Sequence, residues 1–502
     1  MPRMRSGTRT ACRGARWGGT GWPPGAWFLW PGAAAARRLA GQFAVRHRAE
    51  VGVVERLAAA PTPNGPEWVT GSACAHGASS DLARRTKAFG AMSCELDQKS
   101  SPFARLGRKL RAVHPSDFTD PSTGVLVEIG GEFHAFVPSP LPRNLSIPGS
   151  LARQLGDTRS LLGRLNQGAR SLPSPELFFH AFQKREAVLS SRIEGTVTTL
   201  DEAFQSAAVG DDEAESQTDD AREVRNYERA LKAGVAALAG GRPLNFSLLQ
   251  ALHQDLMRNV RGSDKAPGQI RQQQAYVANR TVIVPGDARF VPPPPYHLTE
   301  CVEELDRYLA ERAGDDGLIR VAFSHYQFET IHPFSDGNGR TGRLLIALQM
   351  VWEGLLDSPY LYVSPTLERR RQDYYDGLLA VSQRGAFFDW IGFFLDAVRA
   401  TATETLDRLE SLLALNFAFE QRLSSLQSQK PLQVARCLFQ FPYITVPVAR
   451  RLLQSTSRTA QQAIDRLVEA KILTLLDLRP KVSSGRPPKL YRCQEVLDIM
   501  RE

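Results

Sequence analysis

Between residues 331 and 344 the chain reads Ile331-His332-Pro333-Phe334-Ser335-Asp336-Gly337-Asn338-Gly339-Arg340-Thr341-Gly342-Arg343-Leu344, a run that holds the residue types phosphate chemistry needs. Leu344, Leu345, Ala347 and Leu348 continue as one helical face, so a helix must begin near Asn338. The backbone N–H groups of Gly337, Asn338 and Gly339 then leave a helix start together with the positive end of its dipole, which suits phosphate oxygens. Glycine permits both the tight turn and the close approach of an anion. Arg340 and Arg343, three apart on one face, add two cations. Asp336 would repel that anion unless it carried a metal ion, and a hard Mg²⁺ shared between carboxylate and phosphates removes the conflict. His332 closes the preceding helix beside this nest, where a neutral imidazole could take a proton from an attacking hydroxyl. Taken singly, these are a cap, a turn and a solvated face. Contiguous, they point to nucleotide or phosphate handling, and spacing alone goes no further.

The elements that must position this run are mostly helical. A strand-like run, Val125–Ile129, is followed by a turn at Gly130-Gly131 and an extended Pro-bearing stretch from Phe136 to Pro142. Pro148 opens a helix with Leu151, Leu155, Leu162 and Leu165 on one face, and Ser174-Pro175-Glu176 begins another as N-cap and first turn, ending at Gly195. The acidic stretch at 211–220 reads as a solvated linker and helix start. Helical periodicity resumes over 221–238, 246–260, 298–312 and 318–331. Ala275-Tyr276-Val277 and Thr281-Val282-Ile283-Val284, flanking residues 278–280, predict a two-stranded hairpin with a short loop. Pro292 to Pro295 then force an extended exit.

Charge is distributed unevenly. Lys+Arg number 62 and Asp+Glu 53, a net +9. Residues 1–91 hold 13 basic and 4 acidic residues, so 13 − 4 accounts for +9 and the other 411 residues carry 49 of each sign. The basic balance is therefore no argument that the folded part seeks polyanions. Residues 1–91 are rich in Gly, Ala, Arg and Pro and hold five of the seven tryptophans. A transit peptide and a signal core are weighed against a translation start taken too early, and Met92 is expected to be the true start. The six cysteines are scattered, which argues against a zinc site or a disulfide framework and for a reducing cytoplasm. No run of about 20 apolar residues is present, so no membrane partner is expected.

His332 to Arg343 matches at every fixed position the signature His-Pro-Phe-x-Asp/Glu-Gly-Asn-Gly-Arg-x-x-Arg of the Fic family. The resemblance extends over roughly residues 130–400, through Ala288–Pro295 and the helix bearing Asp373-Tyr374-Tyr375-Asp376. It implies a mainly α fold, a Fic-type helical core with a β-hairpin flap, and transfer of AMP from ATP to a Ser, Thr or Tyr hydroxyl of a target protein, which may be the chain itself. It implies a nucleotide-binding run of Pro333, Phe334, Ser335, Asp336, Gly337, Asn338, Gly339, Arg340 and Arg343. Within it, His332 would be the general base, Phe334 the core anchor, Asp336 the ligand of Mg²⁺, the glycine nest the phosphate cradle and Arg343 the γ-phosphate contact. Residues 275–284 would be the flap that aligns the target backbone by strand addition. Where relatives often carry Asn, this chain offers Arg370, a departure that leaves the base and ribose contacts unassigned.

Ser190-Ser191-Arg192-Ile193-Glu194-Gly195 resembles the family's inhibitory pattern Ser/Thr-x-x-x-Glu-Gly/Asn. Ser190 and Glu194 share a helical face. The resemblance implies that Glu194 pairs with Arg343 in place of the γ-phosphate, and the same glutamate serves AMP removal in some such proteins. Beyond Ala386 a long helical region runs toward Leu426. Three short helices (432–439, 446–453, 458–470) and two strands (472–476, 490–493) around a basic loop then resemble a winged helix-turn-helix. It could bind DNA weakly or serve dimerisation or docking. The expected organisation is an N-terminal extension (1–91), an N-terminal helical region with the inhibitory helix (92–205), a Fic catalytic domain (220–400), a connecting helix (401–428) and the winged helix (429–502). Rival readings are a DNA-binding regulator whose Fic core senses nucleotide without turnover, against which the intact His332 argues, and transfer from a different nucleotide donor.

Overall fold

The computed structural model describes residues 114–130, 133–172, 174–209, 218–277, 288–312, 314–476 and 489–501. Among them the chain is mainly helical, as the periodicity and the resemblance predict. Strands β1 (Gly124–Gly130) and β2 (Phe133–Pro138) pair antiparallel, with Val125 opposite Val137 and Leu126 opposite Phe136. The first half of β2 was not anticipated from the sequence; its one proline, Pro138, is the last paired residue, opposite Gly124, and Pro140 and Pro142 lie just past the strand.

Helices α1 (Gly149–Arg170), α2 (Pro175–Ile193), α3 (Leu200–Val209), α4 (Asp219–Ala239), α5 (Phe246–Leu256), α6 (Pro295–Ala310), α7 (Gly317–Ile331), α8 (Asn338–Trp352), α9 (Ser364–Arg369), α10 (Arg371–Arg384) and α11 (Phe387–Arg422) follow. Their ends have local causes. Asn245 caps α5 by accepting the Leu248 N–H, and Asp316 caps α7 by accepting the Leu318 N–H. Ser174, expected to cap α2, makes no side-chain cap bond; Pro175 at the first turn sets that start. Helix α5 stops at Leu256, short of the expected Val260, because the Asn226 side chain from α4 donates to the carbonyls of Leu256 and Arg258 at 3.1 and 2.7 Å.

Helices α7 and α8 are buried nearly all round and form the centre of the molecule. Most buried apolar residues from Leu141 to Met500 belong to one continuous cluster, while Ala288 and Val291 join Ala135 in a small second one. Helix α1 lies along α11, where the Gln154 amide donates to the Gly392 carbonyl and to Asp396.

The last segment comprises α12 (Lys430–Cys437), β3 (Tyr443–Thr445), α13 (Val446–Leu452), α14 (Ser457–Glu469), β4 (Thr474–Leu476), β5 (Leu490–Arg492) and α15 (Gln494–Arg501). Its strands run in the order β3-β5-β4, all antiparallel neighbours. Strand β3, three residues long, and α15 had no sequence expectation. The segment packs on α2, α3 and α11. The Phe439 ring lies 5.0 Å from Phe178 and 5.7 Å from Phe419, the Tyr443 hydroxyl donates to Asp201 at 2.9 Å, and Arg422 makes paired bonds to Glu495. No helix among the described residues is long and apolar enough to cross a membrane.

Candidate active site

The α7–α8 turn carries the signature run. Helix α7 ends at Ile331 and its C-cap is His332 in the left-handed region at φ 51°, a costly conformation for a non-glycine residue that the surroundings must hold in place. Arg271 does much of that holding. Its guanidinium, 3 % exposed, donates to the carbonyls of His332 at 2.8 Å, Gln273 at 2.9 Å and Pro293, and its own backbone N–H donates to Pro333. One arginine thus satisfies the carbonyls freed at the end of α7 and ties them to the segment leading into the flap region.

The loop beyond is anchored by Phe334. It is fully buried and stacks on His253 with centroids 3.9 Å apart and planes 9° off parallel, with Phe246 on the same stack. His253 accepts the Gly268 N–H on Nδ1 at 2.7 Å, so its Nε2–H donates to the Asp336 carbonyl at 2.9 Å. Burial pushes its pKa down to about 4, consistent with that neutral tautomer. The Asn338 side chain closes the loop from within, accepting the Phe334 N–H and donating to the Phe334 carbonyl. Gly337 has φ 73° and meets Met257 and His253 where a Cβ would stand, so glycine is required there on both counts.

The first N–H groups of α8, from Asn338 to Arg340, open into the site without intrahelical acceptors. Arg340 is 3 % exposed, yet its Nε and Nη1 have no hydrogen-bond partner. Its nearest carboxylate is the fully buried Glu223, 3.3 Å away. A buried guanidinium beside a helix start has the charge and the donors to hold an anion. Asp336 receives Lys265 at 2.9 Å and the Gly337 N–H at 2.7 Å. Burial raises its pKa, but the Lys265 hydrogen bond and charge, with Arg340, outweigh that and leave it below the usual carboxylate range. A lone carboxylate with half-open surroundings fits Mg²⁺ as it is usually held, by one or two carboxylates plus substrate phosphates. No cluster of three or more metal-ligating side chains, which would make a protein-only cage, occurs among the described residues.

His332 has an environment suited to a base. Burial above all, with the Arg271 charge, pushes its pKa down to about 4. Its Nδ1 faces the Glu329 carbonyl at 3.4 Å, leaving Nε2 free. Arg343 is buried and accounts for much of the local electrostatics. Its Nε donates to Ser190 Oγ at 2.8 Å, and its Nη2 donates to the Ser190 carbonyl at 2.9 Å and to Glu194 Oε1 at 2.7 Å. Ser190 and Glu194, singled out with Arg343 in the sequence, thus meet it in space. Burial pushes the Glu194 carboxyl up, but the Arg343 charge and hydrogen bond, with Arg340 and His332, more than offset this and hold it below its ordinary range. The carboxylate lies against Gly339 so closely that any Cβ there would collide with it.

Pro333 is buried and Ser335 exposed, with no side-chain hydrogen bond to other groups of the site. Arg370 bonds Asp373 and lies over the Phe393 ring. Of the expected flap only the first strand is described. There Val277 has Phe290 as an antiparallel partner, with the Val277 N–H donating to the Phe290 carbonyl at 2.9 Å. Residues 278–287, including the expected strand 281–284, lie outside the described residues.

Sequence reasoning missed Arg271, His253, Lys265, Glu223 and Glu329. Glu329 is half-buried, its carboxyl pushed up to about 7 by desolvation, and its Oε1 lies against Gly342. None of these lies in the signature run; only the location of Arg271 just before the expected flap hinted at a role. Replacing Arg271 by Lys keeps the charge but not the fork, and we expect any turnover that depends on His332 to fall about 10- to 100-fold, the scale on which misplacing a reactive group costs rate. Steady-state kinetics checks this, with an unchanged rate excluding the role.

Residues 152–236 match the Fic/DOC family N-terminal domain and residues 243–350 the Fic/DOC family domain. A probable protein adenylyltransferase of Aquifex aeolicus is 33% identical over 99 residues, 20% of this chain and 28% of the relative. Protein adenylyltransferase fic-1 of Caenorhabditis elegans is 34% identical over 123 residues, 22% of each chain. This chain spans about a quarter of the length of these curated relatives. Among solved structures, a Fic family protein of Desulfovibrio desulfuricans aligns over 70% of this chain and 98% of its own, with 19% identity and a TM-score of 0.44.

Proposed function

We propose that the chain is a protein adenylyltransferase that moves AMP from ATP to a Ser, Thr or Tyr hydroxyl of a protein, itself included, and that Glu194 keeps it low. The observation that carries the reading is a neutral, half-buried His332 beside a helix start and the buried guanidinium of Arg340. The Fic/DOC domain matches and the names of the relatives support it. In this reading His332 Nε2 takes the proton of the target hydroxyl while its oxygen attacks the α-phosphorus. The bond from that phosphorus to the bridging oxygen breaks, and diphosphate leaves. The N–H groups of Asn338 and Gly339 with Arg340 hold phosphate oxygens, and Arg343 holds the γ-phosphate, so charge is stabilised by groups already in place. Asp336 would hold Mg²⁺, which supplies further charge neutralisation on the phosphates.

The test is the full chain, as wild type and as Glu194→Gly, with Mg²⁺ and ATP labelled either at the α- or the γ-phosphate. Label on protein from α-32P-ATP alone supports adenylyl transfer; label from the γ-position indicates a kinase. Stronger labelling from α-32P-UTP would move the donor to another nucleotide. ATP binding without label from any donor would favour the nucleotide-sensing regulator.

For residues 429–502 we favour a winged-helix module used for docking. The exposed side of α14 mixes Arg458 and Arg466 with Asp465 and Glu469, and Arg466 is paired with Glu469 at 2.6 Å, so that face offers polyanions little net charge. Its contacts with α2 and α3 support a bracing role instead. Salt-sensitive retention of duplex DNA by the full chain would restore the DNA-binding reading.

A further inference from the structure

Glu194 caps α2, and the chain beyond it passes through Gly195 at φ 98° to Thr196 and Val197. Helix α4 seizes this turn at two points. The Thr196 hydroxyl donates to Glu223 Oε2 at 2.7 Å, and the Val197 N–H donates to Asp220 at 2.9 Å. Thr196 is 2 % exposed and Glu223 0 %, so their bond is shielded from water. The same Glu223 Oε2 lies 3.3 Å from Nη1 of Arg340, while Oε1 faces Arg261 at 3.4 Å. One carboxylate, fully buried, is therefore shared between the inhibitory turn and the phosphate nest.

We infer that Glu223 is a positioning residue that sets Arg340 at the nest and, through Thr196, clamps the turn carrying Glu194 against Arg343. The inference rests on the adenylyltransferase reading and adds the part that holds the inhibitory carboxylate in place. The physical ground is that the Glu194 carboxylate is 34 % exposed and reaches Arg343 from the end of a helix. Such an end frays unless something fixes the residues after it. The bond from Thr196 to a buried charge is of the strong kind. Loss of that bond lets the turn move, so Glu194 leaves Arg343 more often. The carboxylate that anchors the turn also faces the guanidinium that phosphates would engage, so nucleotide binding and the inhibitory turn share one partner.

The experiment uses the full chain and self-labelling from α-32P-ATP. Thr196→Val removes the hydroxyl at constant shape, and we expect labelling about tenfold above wild type, the scale of one lost hydrogen bond to a charged group. Thr196→Ser, which keeps the hydroxyl, should stay at the wild-type rate. In a Glu194→Gly background, Thr196→Val should change the rate less than about twofold, since the brake is already absent. A merely structural threonine would lower the rate in both backgrounds. Added to Glu223→Ala, which removes the acceptor, Thr196→Val should have little further effect, and full additivity would remove Thr196 from the relay. An unchanged rate in Thr196→Val, while Glu194→Gly labels strongly, overturns the inference and spares the transfer reading. Should Glu194→Gly itself remain unlabelled, the transfer reading fails, and the clamp is judged by hydrogen exchange of amides 194–199. Exchange about tenfold faster in Thr196→Val supports it, and exchange equal to wild type overturns it.

Discussion

Replacing Glu194 by Gly is expected to raise self-labelling from α-32P-ATP by about 10- to 100-fold, the range of ordinary coupling energies between sites. The reasoning starts from Arg343. It is buried, and in the structure its hydrogen bonds go to Ser190 and Glu194, groups of one helix end. A γ-phosphate competing for the same guanidinium must displace a carboxylate that is already in contact at 2.7 Å. Glycine removes that competitor and frees the space at Gly339, which the carboxylate presses against. The pair is partly open to solvent, so its strength is discounted relative to a fully buried one. Glu194→Gln is the sharper control. It keeps the shape but loses the charge, and should fall between wild type and Glu194→Gly. A labelling rate that does not move in either variant would remove Glu194 from any regulatory role.

Replacing His332 by Ala should lower labelling by about 10²- to 10⁴-fold, the usual contribution of a positioned general base. The Glu194→Gly/His332→Ala double variant should be as silent as His332→Ala alone, because relief of inhibition cannot supply a base. ATP binding should persist in it, since the nest and both arginines are untouched. The pH dependence gives an independent reading. Burial lowers the His332 pKa to about 4, so the active, neutral imidazole is present throughout the range above that value. The kcat/KM profile of Glu194→Gly, which reports the free enzyme, should therefore lack an acid limb near the ordinary histidine value of about 6.5 and fall only as the pH approaches 4. Removal of Glu194 takes away a charge that raises the His332 pKa, so the variant shifts the limb further down, never up. A limb at 6.5 would mean that His332 is not shifted by its surroundings or is not the base.

Much of the site was legible in the sequence because it is local. From His332 to Arg343, loop, helix start and cations follow one another within about three turns, so residue type and spacing alone define an anion nest with a base beside it. The helices were legible for a similar reason. Periodic apolar faces at 149–170, 219–239 and 387–422 announce themselves over many residues. Short elements did not, since a three-residue strand such as Tyr443–Thr445 has no periodicity to read and exists because β5 offers it a partner.

Tertiary structure alone decided what faces the nest from elsewhere in the chain. Arg271 is 61 residues from His332, Glu223 is more than 100 residues from Arg340, and Glu194 is 149 from Arg343. For the last of these the family resemblance named the partners, and packing determines that Ser190 joins the contact. For His253 and Glu223 nothing in composition or spacing could. A buried carboxylate or guanidinium gains its meaning from the groups that satisfy it, and those are brought together only when α2, α4 and the α7–α8 turn close on one core.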